Sequence, residues 1–595
     1  MTRARSRTPA KGDASARAPR SRRKAPPGRS AHTSTLGGAS SRFLSDRTIL
    51  AAIVAVAAFL RVAYVLSLQP SPWFEHLAVD PEYYDAWARQ IAAGTWIGER
   101  TFYMDPLYPY LLASLYRIVG RDLLLVRLVN VAMSVGSCLL VARIGRQVGR
   151  RAVGLLAALA FALYKPEIFA TGEIDKTSLS VLLTAAALAL GLSQALRDRF
   201  GAGVVLGLAS LTRANFLAIA PFAALAFLFE SDRPRTARSG GMPAGLAAAA
   251  LFALGFVLSL VPVVWRNHHV SGEWVLTTAQ AGQNFYTGNN PENPYGAFGL
   301  LPFVRANPHF EEADFRAEAE RRLGRGLSGP EVSQYWFAQA LAHMREHPGF
   351  AVRAMLRKLA LFWNDFEISD SQDQYIVERF SWVMRLPLLG FGWIAPLALV
   401  GAAVGFRTRR EVRLLAGFVA LYCASVVAFF LFARYRIQVV PALLPLAAVG
   451  AVDLAERARA ADMRRLAWPS ALLVVGWLFC FHTIGIFSRT EPVVQEMRLR
   501  HLAVAYSAAG RTDEALATLQ EAVRQCPGGC RFALGDLFDL YRNANRPAEG
   551  ADYFRAFTHE QPGRSDGWRH LAGLLDASGQ HEEAERAAAR AREAP

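Results

Sequence analysis

In "LAVDPEYYDAW", residues 77–87, three carboxylates (Asp80, Glu82 and Asp85) sit among aromatic rings. Further along, Asp105, Glu173 and Asp175 add acids, while Lys176, Arg213, Arg434 and Arg436 add cations. A carboxylate can take a proton from a hydroxyl, and a cationic cluster can stabilise a departing phosphate. Together these residue types suit a displacement with a lipid-phosphate leaving group beside a general base. Each residue alone has a plainer use. Asp80 suits a helix N-cap, with Pro81 at the first helical position and the acids favouring the dipole. Each cation suits interfacial snorkelling or an ion pair. A charge in a membrane span costs roughly 2.5–3.5 kcal/mol at the helix centre, so a whole cluster of charges there calls for a reason.

The elements that must position these groups are apolar. Of 595 residues, 52% are hydrophobic and only 19% charged. The apolar residues are bunched into long runs, which predicts a multi-pass membrane protein. Spans are expected near 49–68, 123–143, 152–168, 177–196, 243–264, 382–405, 412–432, 437–454 and 467–487. The stretch 201–229 is either one long span or two short ones meeting at Arg213. Arg-rich short loops at 143–151, 197–199, 233–238, 407–413 and 457–465 should all be cytoplasmic by the positive-inside rule. Only the two-span reading satisfies all five. The expected fold is therefore all-α: a bundle of about eleven spans, N-terminus inside and C-terminus outside. Regions 69–122, 265–381 and everything after about 488 then face outward.

The net charge of +17 is concentrated in one tail, since residues 1–48 hold twelve Lys/Arg against two Asp. Residues 1–46 read as a disordered basic cytoplasmic tail held at an anionic membrane surface. No ordered basic face with aromatics points to nucleic acid. The first apolar run starts only near Ile49, which disfavours a signal peptide. The membrane domain is expected over 47–488.

Residues 490–595 carry "LAVAYSAAGRTDEALATLQEAVRQCP", "LFDLYRNANRPAEGADYFRAFTHEQP" and "LAGLLDASGQHEEAERAAARA", starting at Leu502, Leu537 and Leu571. Small residues (Ala515, Gly550, Ala584) recur at one position, and Pro527 and Pro562 close the first two units. The pattern resembles the tetratricopeptide repeat, whose paired helices stack into an α-solenoid. Such an array either binds a protein or peptide or packs on its own membrane domain. Cys138, Cys423 and Cys480 lie in apolar runs and read as small buried residues. Cys526 and Cys530 flank "PGG" in the outer tail and are either bridged or two unpaired thiols.

Several stretches, in this order and topology, resemble the polytopic glycosyltransferases of the GT-C type that use polyprenyl-phosphate sugars. These include protein O-mannosyltransferases, aminoarabinose transferases acting on lipid A, and bacterial family 39 relatives. The stretches are "DPEYYDAWARQIAAG", "PLYPYLLASLYRIVG", "GEIDKTSLSVLL", "GLASLTRANFLAIAP", "RNHHVSGEWVLTTAQAGQNFYTGNNP", "RKLALFWNDFEI" and "ARYRIQVVPALLPLAA", spread over about 45–460. The resemblance implies sugar transfer from a lipid donor to a lipid, glycan or protein hydroxyl at the outer face of a bacterial cytoplasmic membrane. It places Asp80 as base. An acid often follows that base directly in the family. Here Pro81 intervenes before Glu82. Some relatives carry a Lys near the lipid phosphate where this chain has Asp105. Lys176 is the first substitute for it, then Arg213, Arg434 and Arg436. Glu173 or Asp175 stands as the second acid. Tyr83, Tyr84 and Trp87 suit either an interfacial belt or stacking on a sugar. Asn284, Tyr286, Asn289 and Asn290 suit sugar or acceptor contacts, although "GNN" at 288–290 equally suits a tight turn. One displacement step implies inversion. No nucleotide-binding loop appears, in keeping with a lipid-linked donor. No cofactor is demanded, and a divalent metal is left open. A lipid-glycan transporter predicts charged or broken helices at mid-membrane and an internal repeat, which is not seen. A glycan ligase shares the outer site without the first-loop Asp, and a non-catalytic anchor for the repeats has no need of Asp80.

Overall fold

The computed structural model describes residues 45–229, 243–293, 296, 297, 299, 301–305, 308–485, 488, 491–525 and 531–594. The basic tail before Ser45, the Arg-rich loop at 233–238, and Cys526 and Cys530 lie outside the described residues.

The described residues are helical apart from loops and two isolated bridges, Tyr164 with Leu389 and Ala297 with Leu431. The first group of helices is α1 (Asp46–Ser67), α2 (Asp80–Ala92), α3 (Leu107–Val119), α4 (Leu123–Val148), α5 (Arg151–Ala162), α6 (Lys165–Ala170), α7 (Thr177–Gly191), α8 (Leu196–Ser210), α9 (Asn215–Leu228) and α10 (Ala244–Ser271). The large loop holds α11 (Ala281–Gly288), α12 (Pro308–Leu323), α13 (Gly329–Glu346), α14 (Pro348–Trp363), α15 (Gln374–Val377) and α16 (Trp382–Arg385). Then come α17 (Phe391–Gly405), α18 (Arg410–Val427), α19 (Ala433–Arg436), α20 (Val440–Arg459) and α21 (Met463–Phe481). Six further helices follow among the described residues: α22 (Pro492–Ala508), α23 (Thr512–Gln525), α24 (Arg531–Asn543), α25 (Pro547–Glu560), α26 (Ser565–Ala577) and α27 (His581–Glu593).

Five of these segments are long and apolar enough to cross a membrane: α1, α4, α10, the continuous run Ala433–Arg459 and α21. Four shorter apolar helices, α5, α7, α9 and α17, fall in stretches where spans are expected. The protein is thus a multi-pass membrane protein, with length and apolarity alone supporting five of the eleven spans. Two apolar runs are broken for visible reasons. The run 152–168 stops at Ala162 because Pro166 follows, and its last residues form the separate α6. The run 201–229 breaks at 211–214, which sets Arg213 between α8 and α9.

The bundle packs closely through small residues. A Cβ on Gly203 would lie 2.0 Å from the Phe252 carbonyl oxygen, so α8 and α10 touch backbone to backbone there. Gly401 of α17 and Gly450 of α20 permit the same approach. Within the bundle Arg61 of α1 is fully buried. It donates to Ser134 Oγ at 2.6 Å and to the Ala162 and Phe161 carbonyls, both at 3.1 Å. Ser134 in turn donates to Glu167 at 3.0 Å. An intramembrane charge is tolerated because every neighbour answers it.

The terminal helices pack each on the next, from α22 through α27. One apolar cluster continues from the outer loops (Trp73, Phe74, Ile376, Val377) into the terminal array (Leu499, Leu502, Leu519). Packing on its own membrane domain, one of the two uses considered for the array, therefore engages its first helix pair.

Candidate active site at the outer loops

Asp80 opens α2, but not as its cap. The cap position is Val79, at φ 57° and ψ −128°, with no side-chain cap hydrogen bond. This corrects the N-cap expectation: Asp80 is the first helical residue, and Pro81 the second. A β-branched residue at positive φ is strained. The Asp80 carboxylate makes no bond to its own helix end among the described residues. Its Oδ2 lies 2.6 Å from Arg434 Nη2.

Arg434 is the hub. It lies in α19, the short turn that interrupts the apolar run into α20. Asp175 Oδ2 is 3.4 Å from its Nη1, and Asp370 pairs with its Nη2. Three acids from three separate loops thus meet one guanidinium. Asp175 also accepts from the Thr177 N–H (2.8 Å) and hydroxyl (2.7 Å), which locks the start of α7. Burial pushes the Asp370 carboxyl up, and Asp80 and Asp175 add to this while Arg434 opposes it. Glu173 is raised as well, first by burial and then by Asp175. Glu311 is lifted to about 7 by burial and by Asp80. A narrow cleft runs beside Arg434, lined by Glu173, Asp370, Gln372, Gln374, Phe169 and Ile437 among others.

The cations part company. Lys176 pairs with Asp105, both buried, and lies 5.7 Å over the Tyr84 ring. The acid that stands where some relatives carry a lysine thus neutralises the first candidate phosphate ligand. Arg213 is 4% exposed. It donates to Thr177 Oγ1 at 3.2 Å, stacks 5.0 Å from the Tyr435 ring, and leaves Nε without a hydrogen-bond partner among the described residues. No carboxylate is ion-paired with it among the described residues. Arg436 points elsewhere. It meets Glu367 at 2.7 Å and the Phe362 and Phe366 carbonyls at 3.3 and 3.1 Å. It holds the chain after α14 and does not join Asp80.

The remaining candidates scatter. Glu82 pairs with His309 at 2.7 Å on the half-exposed outer side of α2. Tyr83 packs on His309 and Trp87, and burial pushes its hydroxyl up to about 12. Tyr84 is fully buried against Tyr108. Asn284 is half-buried, and Tyr286 packs on Trp336 with ring centroids 4.6 Å apart. Asn289 donates to the Phe285 (2.8 Å) and Ala428 (2.9 Å) carbonyls and accepts from Lys358 Nζ at 2.8 Å. Asn290 donates to the Tyr286 and Thr287 carbonyls, both at 2.9 Å. The Asn290 amide is spent on its own turn, and the Asn289 amide on tying that turn to Lys358 and the Ala428 carbonyl. Asp370 and Glu311 are additions that the motif reading missed. Asp370 lies two residues beyond the "RKLALFWNDFEI" stretch, and the recurring acids at 365, 367, 370 and 373 were the available signal. Among the described residues no three His, Cys, Asp or Glu side chains converge as a metal ligand set. The acids share Arg434 instead.

Residues 104–264 match the family model described as dolichyl-phosphate-mannose-protein mannosyltransferase. No curated protein matches the chain. Among solved structures, the apo oligosaccharyltransferase of Archaeoglobus fulgidus is 14% identical at a TM-score of 0.39, covering 78% of this chain. This chain spans 59% of that protein's length. ArnT from Cupriavidus metallidurans, solved with undecaprenyl phosphate, is 15% identical at a TM-score of 0.38, covering 86% of this chain and 79% of its own. The similarity to the dolichyl-phosphate-mannose-protein mannosyltransferase family is thus carried by residues 104–264.

Proposed function

We propose that this protein moves a sugar from a polyprenyl-phosphate donor to an acceptor hydroxyl at the outer face of a bacterial cytoplasmic membrane. The acceptor is a lipid, glycan or protein. The observation that carries the reading is the meeting of Asp80, Asp175 and Asp370 on Arg434, beside a buried Arg213 that lacks a carboxylate partner among the described residues. A buried cation without an acid calls for an anion. A phosphate ester supplies one.

Asp80 takes the proton of the acceptor hydroxyl. The freed oxygen attacks the anomeric carbon, and the bond from that carbon to the phosphate oxygen breaks. Polyprenyl phosphate departs with the electron pair, and its charge is met by Arg213 and then by Arg434. One displacement inverts the anomeric centre. Arg434 is divided among three acids, which leaves Asp80 oriented without committing the whole cation to it. Positioned base catalysis contributes about 10²–10⁴-fold, and orientation and charge stabilisation supply the remainder. The N-terminus is cytoplasmic, and residues 490–595 form a tetratricopeptide array outside, open to a protein or peptide partner on the helices that do not touch the membrane domain.

Asp80→Asn tests the reading, because it keeps the shape and removes the base. Envelope glycans and glycoproteins, measured by mass spectrometry in cells carrying the variant as the sole copy, should lose the transferred sugar at normal protein level. Undiminished product removes Asp80 as base.

A further inference from the structure

The loop that carries Asp370 is held at both ends. On the membrane side, the Ile368 carbonyl accepts from the Ala433 N–H at 2.9 Å, next to Arg434. On the other side lies Asp373, 1% exposed. Asp373 accepts from the Tyr375 and Ile376 N–H groups at 2.8 and 3.0 Å, which starts α15, and it also accepts from Ser369 Oγ. Its Oδ2 takes one further partner, Arg498 Nε at 2.9 Å. Arg498 belongs to α22, the first helix of the terminal array, and is 2% exposed. Its guanidinium lies 4.4 Å over the Tyr375 ring and 5.3 Å from that of Phe366. The Tyr375 hydroxyl accepts from the Glu367 N–H at 2.9 Å and so closes the loop on itself.

Asp370 thus sits three residues from a buried ion pair whose cation comes from the array. A buried pair is geometrically demanding, because removing one partner leaves the other uncompensated. A second bridge between the two regions, Arg379 with Glu521 at 2.6 Å, is half-exposed, and neither of its side chains bonds a side chain of loop 367–377 among the described residues. Surface pairs of that kind contribute little. The two bridges therefore separate a positioning contact from a mere docking contact.

We infer that the terminal array is a working part of the site, with Arg498 as a positioning residue that fixes loop 367–377 and thereby sets Asp370 against Arg434. This rests on the sugar-transfer reading for its consequence but not for its geometry. With the loop released, Asp370 would leave Arg434 to Asp80 and Asp175 alone. The base would then be more tightly paired and less able to take a proton. The charged and titratable groups facing Asp370 include Arg434, Asp80, Asp175, Arg213, Glu173, Glu311 and Tyr435.

The test uses the full chain in lipid nanodiscs, with hydrogen exchange over residues 367–377, and cells carrying the same variants for glycan mass spectrometry. Arg498→Ala should speed exchange in that segment at least about tenfold, with the array still resistant to protease. Transfer should fall by up to about 10²-fold, as for a misplaced group far from the chemistry. Arg498→Lys should restore much of both, because it returns the charge. Arg379→Ala should leave both within about twofold. If Arg498→Ala prevents folding, Asp373→Asn, which retains the α15 cap, takes its place with the same expectation. Unchanged exchange in the Arg498 variant overturns the inference. So does a loss of transfer that follows protein level equally in the Arg498 and Arg379 variants. Should deletion of the whole protein leave envelope glycans and glycoproteins unchanged, the sugar-transfer reading fails while the exchange arm still decides whether Arg498 positions the loop.

Discussion

At the scale of residues, the site is a distribution of charge rather than a row of motifs. Lys176 and Asp105 form a closed pair, whereas Arg213 keeps a buried guanidinium without an acid among the described residues. This ranks Arg213 above Lys176 as the phosphate ligand. With polyprenyl phosphate as probe and the full chain in nanodiscs, Arg213→Ala should weaken binding about 10- to 100-fold, the range for a lost charge-assisted hydrogen bond. Arg213→Lys should recover part of it, since a point charge replaces a planar fork. Removing Lys176 and Asp105 together deletes a neutral pair and should change affinity less. Equal losses for the Arg213 variant and the double variant would refute the ranking.

At the scale of elements, the large outer loop is held by polar anchors in apolar surroundings. Lys358 of α14 is fully buried. It donates to Asn289 and to the Phe429 carbonyl, with no carboxylate ion-paired among the described residues, and burial pulls it down to about 7. The folded state therefore favours the neutral amine. Stability from this group is present above the ordinary lysine pKa of roughly 10.4 and is lost as pH falls toward about 7. Thermal unfolding in detergent should show stability rising by about 1–4 kcal/mol between neutral and alkaline pH, superimposed on other titrations. Lys358→Met keeps the stem and removes the charge, so its profile should be flatter by that amount. Parallel profiles for the two proteins would exclude Lys358 as the source. The same contact explains "GNN": Asn289 serves Lys358 and two carbonyls, which ties α11 to α14 and to the chain after α18.

At the scale of the whole molecule, the terminal helices share one apolar cluster with the outer loops. The turn between the first two helices of the array also reaches loop 69–122 through Arg511, which donates to the Pro70 carbonyl at 3.1 Å. Loop 69–122, the Asp370 loop and the array must then lie on one side of the membrane. By the positive-inside rule the Arg-rich short loops are expected to put that side outside the cytoplasm. A reporter active only outside the cytoplasm should therefore give signal when fused at about residue 490 and none at about residue 235. Signal at 235 with silence at 490 would invert the protein and move the proposed chemistry to the cytoplasmic face.

What the sequence by itself determined was the helical class, the membrane character, the break at Arg213 and the pool of charged residues beside the apolar runs. Those features are local. Composition sets burial in lipid, and a break such as the one before Pro166 follows from the nearby residues. What only the tertiary structure decided was the partnering. Asp80, Asp175, Asp370 and Arg434 are up to 354 residues apart in the chain, and nothing in their local stretches says which acid takes which cation. Arg434 and Arg436 are two residues apart in the chain, yet one faces Asp80 and the other Glu367, because the backbone turns between them. Asp370 was legible only as one acid in an acidic run. It became a site residue because the loop is pinned between Ala433 and Arg498, a constraint imposed by packing at long range. Charges in a low-dielectric setting act over a few ångströms, so their roles follow from the final geometry.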